Sequence, residues 1–328
     1  MNTHLGIYSP WLQEVLIALE RIGLKSENLL EAHCFNGQLL NAWIEVGVVR
    51  QLWWKAFELS QDPLLGLKAG MQMNLRAFNV VAPMLSHSPN FQTALQTIQK
   101  YQSLISQSGH FVLSQEQDSI HLNYKTNESH IDTHYTQIDS VFSAAIKLIR
   151  SLLSEDIELE QLNLSHENHG TITAYEDYFQ CKVVMGMKSP GFVLHRATLN
   201  QTHTTADPRI YELCKTLADD RLRQINNSEQ LLNNVSESIA GQHYRRASLD
   251  TVAQQLNMSP RTLQRKLNQQ GITFQQASEQ VIVREATRLL ESTQLSIFEI
   301  SDHLGYSNTS SFSRAFKSWT SKNPGEFR

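Results

Sequence analysis

Apolar residues recur at helical spacing in two matching stretches near the end of the chain. In SLDTVAQQLNMSPRTLQRKL, Ser248 to Leu267, the residues Leu249, Val252, Ala253 and Leu256 fall at i, i+3, i+4 and i+7. In SIFEISDHLGYSNTSSFSRAF, Ser296 to Phe316, the residues Ile297, Ile300, Ser301 and Leu304 take the same spacing. Each set is one buried stripe of a short helix. Asn257 and Gly305 follow the stripes and suit a left-handed helix end. Ser259 and Ser307 then suit the N-cap of a second helix, with Pro260 in its first turn. Those second helices are expected to bury Leu263 with Leu267, and Phe312 with Ala315, Phe316 and Trp319.

The first two thirds carry mixed patterns. Helical spacing predicts helices over Trp11 to Ile22, over Asn41 to Leu59, over Asn90 to Ser106 after the start signal Ser88-Pro89-Asn90, and over Asp132 to Leu153. The last of these would bury Ile138, Val141, Phe142, Ala145, Ile149 and Leu152. Residues 111–126 read as a hairpin turning at Glu116 to Ser119, and Leu159 to Ser165, Lys182 to Met187 and Gly191 to His195 read as strands. Asp207-Pro208 opens a helix to about Ile225, and the polar run at Asn226 reads as a linker or cap. The fold class expected is an α+β N-terminal domain, residues 1–225, followed by an all-α C-terminal domain, residues 226–328, with two helix-turn-helix units.

Composition narrows this picture by exclusion. Of 328 residues, 41% are hydrophobic and 18% charged, the balance of a globular chain and not of a disordered or fibrous one. Cys34, Cys181 and Cys214 form no CxxC pair, which excludes a disulfide framework and points to a reducing compartment. No stretch reaches the ~20 apolar residues that cross a bilayer. The first 21 residues lack a basic start and a small-residue cleavage site, so neither a signal peptide nor an anchor is expected. The expected location is cytoplasmic, in association with the nucleoid.

Charge is distributed unevenly. After Asn226 there are 11 Lys+Arg against 9 Asp+Glu, a net of +2, which leaves −6 for the preceding part of a chain of net −4. No acidic residue occurs between Asp250 and Glu279. The outer face of the first repeat's second helix offers Arg261, Thr262, Gln264, Arg265 and Asn268, beside the cap Ser259. The second repeat offers Asn308, Thr309, Ser310, Ser313, Arg314 and Lys317. Arginine forks onto guanine, Gln and Asn pair with adenine, and Ser or Thr reach bases or phosphates. Neither face carries a carboxylate, as an anionic partner requires. The paired pattern therefore points to DNA binding.

Enzymatic and metal chemistry find little support. HExxH, CxxC and EF-hand patterns are absent, as are GxSxG, GxxxxGK[ST] and GxGxxG. The pairs His130/His134 and His166/His169 have ligand-like spacing but no third ligand nearby, and read as surface or hydrogen-bonded histidines. Cys34 beside His33 gives no nucleophile geometry. No catalytic residue, metal site or cofactor is expected. Trp43, Trp53, Trp54, Tyr101 and Phe111 could line an apolar pocket, but each taken singly reads as core. No choice among Arg50, Arg76 and Arg196 as the partner of a polar ligand follows from the sequence.

The last hundred residues resemble the DNA-binding domain of AraC/XylS transcription regulators. The resemblance rests on MSPRTLQRKL from Met258, on SIFEISDHLGYSNTSSFSRAFKSWTSKNPGEFR, and above all on GYSNTSSFSRAFKSW followed by Pro324 and Phe327-Arg328. It implies a seven-helix fold in which two helix-turn-helix units are joined by a long helix, here about Phe274 to Ser292. Three positions depart from the family pattern: Ser301 stands for an alanine, Ile282 for a basic residue and Ser321 for a glycine. They bear on packing and phosphate contact and leave the recognition faces intact. Phrases in residues 15–210, DPLLGLKAG from Asp62, SPNFQTALQTIQKYQSLI from Ser88 and YEDYFQCKVVMGMKSPGFVLHRATLN from Tyr175, resemble the effector domain of the ornithine-utilisation-regulator subgroup. The strand content is too low for the arabinose-binding β-barrel.

The resemblance implies a transcription regulator, with activation the commoner mode in the family, that binds a double-stranded operator under the control of a small-molecule effector. It further implies a homodimer and RNA polymerase as a candidate partner, with no membrane partner. The two recognition helices would enter successive major-groove faces about 34 Å apart. Arg261, Gln264 and Arg265 would read one segment, and Asn308, Thr309, Ser313 and Arg314 the other. Lys317 would contact phosphate. The competing reading is a nucleoid-type protein that binds DNA without a ligand.

Overall fold

The strand β1 (Gly6–Tyr8) opens the computed structural model, which describes residues 6–29, 43–74, 78–127, 132–152, 159–168, 172–202, 206–270, 272–320 and 322–327, without the side chains of Trp43, Leu152 and Glu229. Helix α1 (Ser9–Arg21) follows, with a proline in its first turn, and buries Trp11, Leu12, Val15, Leu16, Ala18 and Leu19 on one face. Strand β2 (Trp43–Glu45) pairs antiparallel with β1, Ile7 opposite Ile44. Helix α2 (Val46–Ser60) starts directly after it and ends where Gln61 turns left-handed. The helical spacing over Asn41 to Leu59 thus spans a strand and a helix. Trp43 to Glu45 are held extended by a partner nearly forty positions away, which no local period can show. Asn41 and Ala42 lie outside the described residues.

Helices α3 (Leu65–Gln72), α4 (Val81–Ser86) and α5 (Phe91–Tyr101) come next. Asn90 caps α5 by accepting the Thr93 N–H at 2.9 Å. A hairpin, β3 (Gly109–Gln115) and β4 (Ser119–Thr126), precedes the long helix α6 (Tyr135–Leu152). Strand β5 (Leu159–Asn163), helix α7 (Ile172–Phe179) and strand β6 (Lys182–Val184) form a parallel crossover unit, and β7 (Gly191–His195) completes the sheet. Its order is β3-β4-β7-β5-β6, antiparallel except at β5–β6. Among the described residues these five strands form an open mixed sheet. The inner side of β4 and β7 places Ile120, Leu122, Phe192 and Leu194 in the core.

Two glycines set the closest helix contact of this part. A Cβ on Gly66 would stand 2.0 Å from the Thr136 carbonyl oxygen, and one on Gly70 would stand 2.5 Å from that of Ser140. Helix α3 therefore lies backbone to backbone on α6, and the Ser143 hydroxyl donates to the Leu67 carbonyl at 2.9 Å. This changes the reading of α6. Phe142 and Ile149 are buried as expected, but Ile138, Val141 and Ala145 are only half-buried, whereas Thr136, Gln137, Asp139, Ser140 and Ser143 are buried. A polar face is tolerated there because its side chains find partners: Ser140 donates to the Gln137 carbonyl, and Asp139 accepts from Tyr175 and pairs with His166 at 3.2 Å.

Helix α8 (Pro208–Gly241) runs for 34 residues. The polar run at Asn226, expected as a linker, is helical, because Leu231, Val235 and Ile239 recur beyond it and bury at 7%, 0% and 0% exposure. Tertiary burial outweighs weak local propensity. The chain divides within this helix into two compact units, Met1–Arg223 and Gln224–Arg328.

In the second unit, α9 (Leu249–Gln255) and α10 (Pro260–Gln269) form one helical pair, and α12 (Ile297–His303) and α13 (Thr309–Thr320) form another. Between them runs α11 (Phe274–Ser292), about 28 Å long at 1.5 Å per residue. Its first half, Ala277 and Val281, packs with Leu231, Val235, Ile239, Val252, Ala253, Leu263 and Leu267. Its second half, Ile282, Ala286, Leu289 and Leu290, packs with Ile300, Leu304, Phe312 and Phe316. One helix thereby supports two small cores, and Ile282 serves the second of them as an apolar core residue.

Candidate nucleic-acid interface

The two helical pairs are built alike from their caps upward. Ser248 caps α9 in a reciprocal box with Thr251, and Ser296 caps α12 in the same way with Glu299. Both first helices end in a left-handed residue, Asn257 at φ 54° and Gly305 at φ 79°. Gly305 is doubly constrained, since a Cβ there would stand 2.6 Å from the His243 carbonyl oxygen. Ser301 sits at 1% exposure among the apolar side chains and donates to its own helix, to the Phe298 carbonyl at 3.0 Å.

The second helices differ in one respect from the sequence expectation. Ser259 caps α10, accepting the Thr262 N–H at 3.1 Å. Ser307 does not cap α13. Asn308 does, its Oδ1 accepting the Ser311 N–H at 2.8 Å, while its amide donates to the Ser307 hydroxyl at 3.3 Å. The cause is length: one residue separates Asn257 from its cap, and two separate Gly305 from Asn308.

Counted from these caps, the outer faces coincide. Arg261 and Ser310 take the same helical position, as do Gln264 and Ser313, Arg265 and Arg314, and Asn268 and Lys317. Each set falls at i, i+3, i+4 and i+7 and forms one stripe. Beneath them Leu263 and Leu267 match Phe312 and Phe316, all four at 0% exposure. Ser259, Arg261, Arg265, Asn268, Asn308, Ser310, Arg314 and Lys317 are exposed, and Thr262, Gln264, Thr309 and Ser313 are half-buried. Gln264 donates to Asn268 Oδ1 at 3.1 Å within its own stripe. Ala315 and Trp319 are half-buried on the inner side of α13. Neither α10 nor α13 carries an acidic residue, so nothing on these stripes repels a phosphate backbone. Ser321 and Arg328 lie outside the described residues.

Elsewhere the candidate residues separate. Trp53 and Phe111 line a cavity of the first unit. Tyr101 is buried with its hydroxyl donating to Asp219 at 2.7 Å, and Trp54 is 47% exposed with its indole N–H on the Asp132 carbonyl. Arg50 is buried and donates to the Asn127 carbonyl at 2.5 Å, and Arg196 reaches the Gln117 carbonyl at 3.3 Å. His134 and His166 are not surface residues: each has a ring contact with Tyr135, His134 bonds Thr136 at 2.8 Å, and His166 bonds Asp139. Cys181 is a thiol whose pKa burial pushes up to about 11. Among the described residues no group of three or more His, Cys, Asp or Glu could hold a metal ion. His33, Cys34, Arg76, His130 and His169 lie outside them.

Comparison with known proteins places both parts. The family described as the arabinose-binding domain of AraC transcription regulator, N-terminal, matches residues 23–202, and a helix-turn-helix domain family matches residues 252–328. The contrast drawn from strand content with the arabinose-binding domain is corrected by this family match. The chain is 29% identical over 275 residues to the HTH-type transcriptional regulator VqsM of Pseudomonas aeruginosa, covering 80% of this chain and 83% of that one. It is 24% identical over 284 residues to the ornithine utilization regulator of the same species, covering 85% and 82%. The crystal structure of the transcriptional regulator CdpR from Pseudomonas aeruginosa shares the fold, with a TM-score of 0.52, 22% identity and 97% of each chain covered.

Proposed function

The chain belongs to the AraC family of transcription regulators, and on that premise we propose that both of its helical pairs act as helix-turn-helix units reading two segments of one operator. It is a DNA-binding regulator and not an enzyme. The observation that carries the two-unit reading is the coincidence of the stripes on α10 and α13, position for position from their caps. Arg265 and Arg314, at the same turn of the two helices, are the central base readers. Arg261 and Gln264 extend the first stripe. Thr309, Ser310 and Ser313 supply hydroxyls to the second. Lys317 neutralises a phosphate, and the exposed Asn268 hydrogen-bonds to one. Asn308 and Ser259 orient their helices first and reach DNA only with what their caps leave free.

The N-terminal domain, residues 1–225, senses a small-molecule effector, and the DNA-binding domain, residues 226–328, responds through a ligand that binds two states of the protein unequally. Homodimerisation belongs to the first unit. Leu213 and Leu217, exposed at 65% and 51% on α8, give a second copy apolar surface to cover. Activation through RNA polymerase is the output of this scheme. The test is fluorescence anisotropy of a captured genomic operator at fixed salt. Arg265→Ala and Arg314→Ala are each expected to weaken the operator and to leave random-sequence DNA nearly unchanged. Equal loss on both DNAs would refute base reading.

A further inference from the structure

The first unit holds a cavity of about 110 Å³ between the sheet, α5 and α6. Its wall is aromatic and aliphatic, with Trp11, Trp53, Phe91, Phe111, Tyr124 and Phe192 prominent. Among the described residues no Lys, Arg, His, Asp or Glu lines it. An ammonium, a carboxylate or a zwitterion placed there would be buried without a counter-ion, which is strongly disfavoured. A sugar would leave most of its hydroxyls unpaired.

The polar groups of the lining are almost all engaged. Gln102 accepts the Phe111 N–H at 2.8 Å and donates to the Gln99 and Phe111 carbonyls. Ser106 accepts the Ser108 N–H at 3.1 Å, and Ser140 donates to the Gln137 carbonyl at 2.7 Å. Gln137 donates its amide to the Ser108 hydroxyl at 2.9 Å. Its Oε1 has no partner, although the residue is only 5% exposed. The Ser108 hydroxyl is hydrogen-bonded to Tyr124, so its oxygen accepts the Gln137 amide N–H and Oε1 is the atom left over. A buried group of this kind requires an explanation by water or ligand. Of the amide and hydroxyl oxygens named here, Gln137 Oε1 is the one left wholly without a partner.

We propose that this cavity is the ligand site of the first unit and that its ligand is a small uncharged molecule, apolar over most of its surface, whose single hydroxyl or N–H donates to Gln137. At about 110 Å³, against the roughly 150 Å³ of an apolar cavity that accepts benzene, the volume limits the ligand to about one ring. The proposal rests on the reading of this unit as an effector sensor and assigns that sensor a chemical class: phenols and short neutral alcohols or amides, not amino acids or sugars.

The test is calorimetric titration of the full chain with p-cresol and with toluene, which share a ring and differ by the donor. Wild type is expected to bind p-cresol once per chain, about fivefold tighter than toluene. Gln137→Leu removes the acceptor and is expected to reverse that preference. Its toluene binding also reports that the variant is folded. Ala145→Trp, which fills the cavity, is expected to abolish both. Absence of saturable binding by wild type, an unchanged preference in Gln137→Leu, or stoichiometric binding of L-ornithine or L-arabinose unaffected by Ala145→Trp would overturn the assignment. Operator affinity with and without p-cresol separates the two claims: binding that leaves it unchanged keeps the ligand site and refutes effector control through it.

Discussion

Asn308 Oδ1 accepts the backbone N–H of Ser311 at 2.8 Å, so the residue at the head of α13 is first a cap. Its side chain fixes where α13 begins and therefore which residues share the outer stripe. Asn308→Ala should lower stability by about 1 kcal/mol, seen as a lower urea midpoint at unchanged slope. Asn308→Asp keeps a capping oxygen and adds a negative charge on the face proposed to meet DNA. It should hold the midpoint and weaken operator binding. Equal stability loss in both variants would remove the capping role.

Lys317 occupies the last position of its stripe, where Asn268 stands on α10. A phosphate contact contributes affinity without sequence choice. Lys317→Ala should therefore reduce the salt slope of log affinity by about one and weaken specific and random DNA alike. Arg265→Ala should leave the salt slope closer to wild type and flatten the preference among operator variants. Titrations at three salt concentrations distinguish the two.

The contact of α3 on α6 leaves no room for a methyl group at Gly70, where a Cβ would stand 2.5 Å from both the Ser140 carbonyl oxygen and the Ser143 Cβ. Gly70→Ala gains helix propensity but must push two backbones apart. A net loss of about 1–3 kcal/mol is expected in urea unfolding. A stabilised variant would show that the helices can separate freely.

His166 gives a pH signature. Burial opposes its charge, but the hydrogen bond to Asp139 and the charge of that carboxylate prevail and raise its pKa above the ordinary histidine value. The pair therefore contributes fully below the unfolded pKa of about 6.5, and its contribution fades as pH rises through the raised folded value. His134 has the opposite sign, since burial lowers its pKa. The comparison is therefore wild type against His166→Gln. The stability difference should shrink as pH rises above about 6.5 and the imidazole loses its charge. A difference constant with pH would show that His166 is neutral throughout.

The second unit was largely legible in the sequence because its signals are local. Stripes such as Leu249, Val252, Ala253 and Leu256, the cap Ser259, and the turn residues Asn257 and Gly305 each act within a few positions. The expected span of the long helix, Phe274 to Ser292, is the span observed. The shift of a cap from Ser307 to Asn308 was hidden because the two turns differ by one residue. In the first unit the decisive contacts are distant. Trp43 to Glu45 is extended only because β1 lies beside it. In the second unit, too, α8 passes through Asn226 only because Leu231, Val235 and Ile239 have a core to enter. The short helices α3, α4 and α7 have too few turns to show a period. Gln137 was invisible as a site residue, because a glutamine beside apolar positions on a helix reads as solvent-facing. The available signal was the spacing of Thr136, Ser140 and Ser143 opposite Gly66 and Gly70, two small-residue faces that fit each other.

On the reading proposed above, α10 and α13 each read their own segment of one operator. The direct measurement is selection of bound sequences from genomic fragments at one stated salt concentration, with wild type, Arg265→Ala and Arg314→Ala in parallel. The wild-type motif should contain two blocks about one helical turn, roughly 34 Å, apart. Arg265→Ala should erase one block and Arg314→Ala the other. A single block, or one lost equally in both variants, would contradict the account, as would sequence-blind binding that disappears with salt.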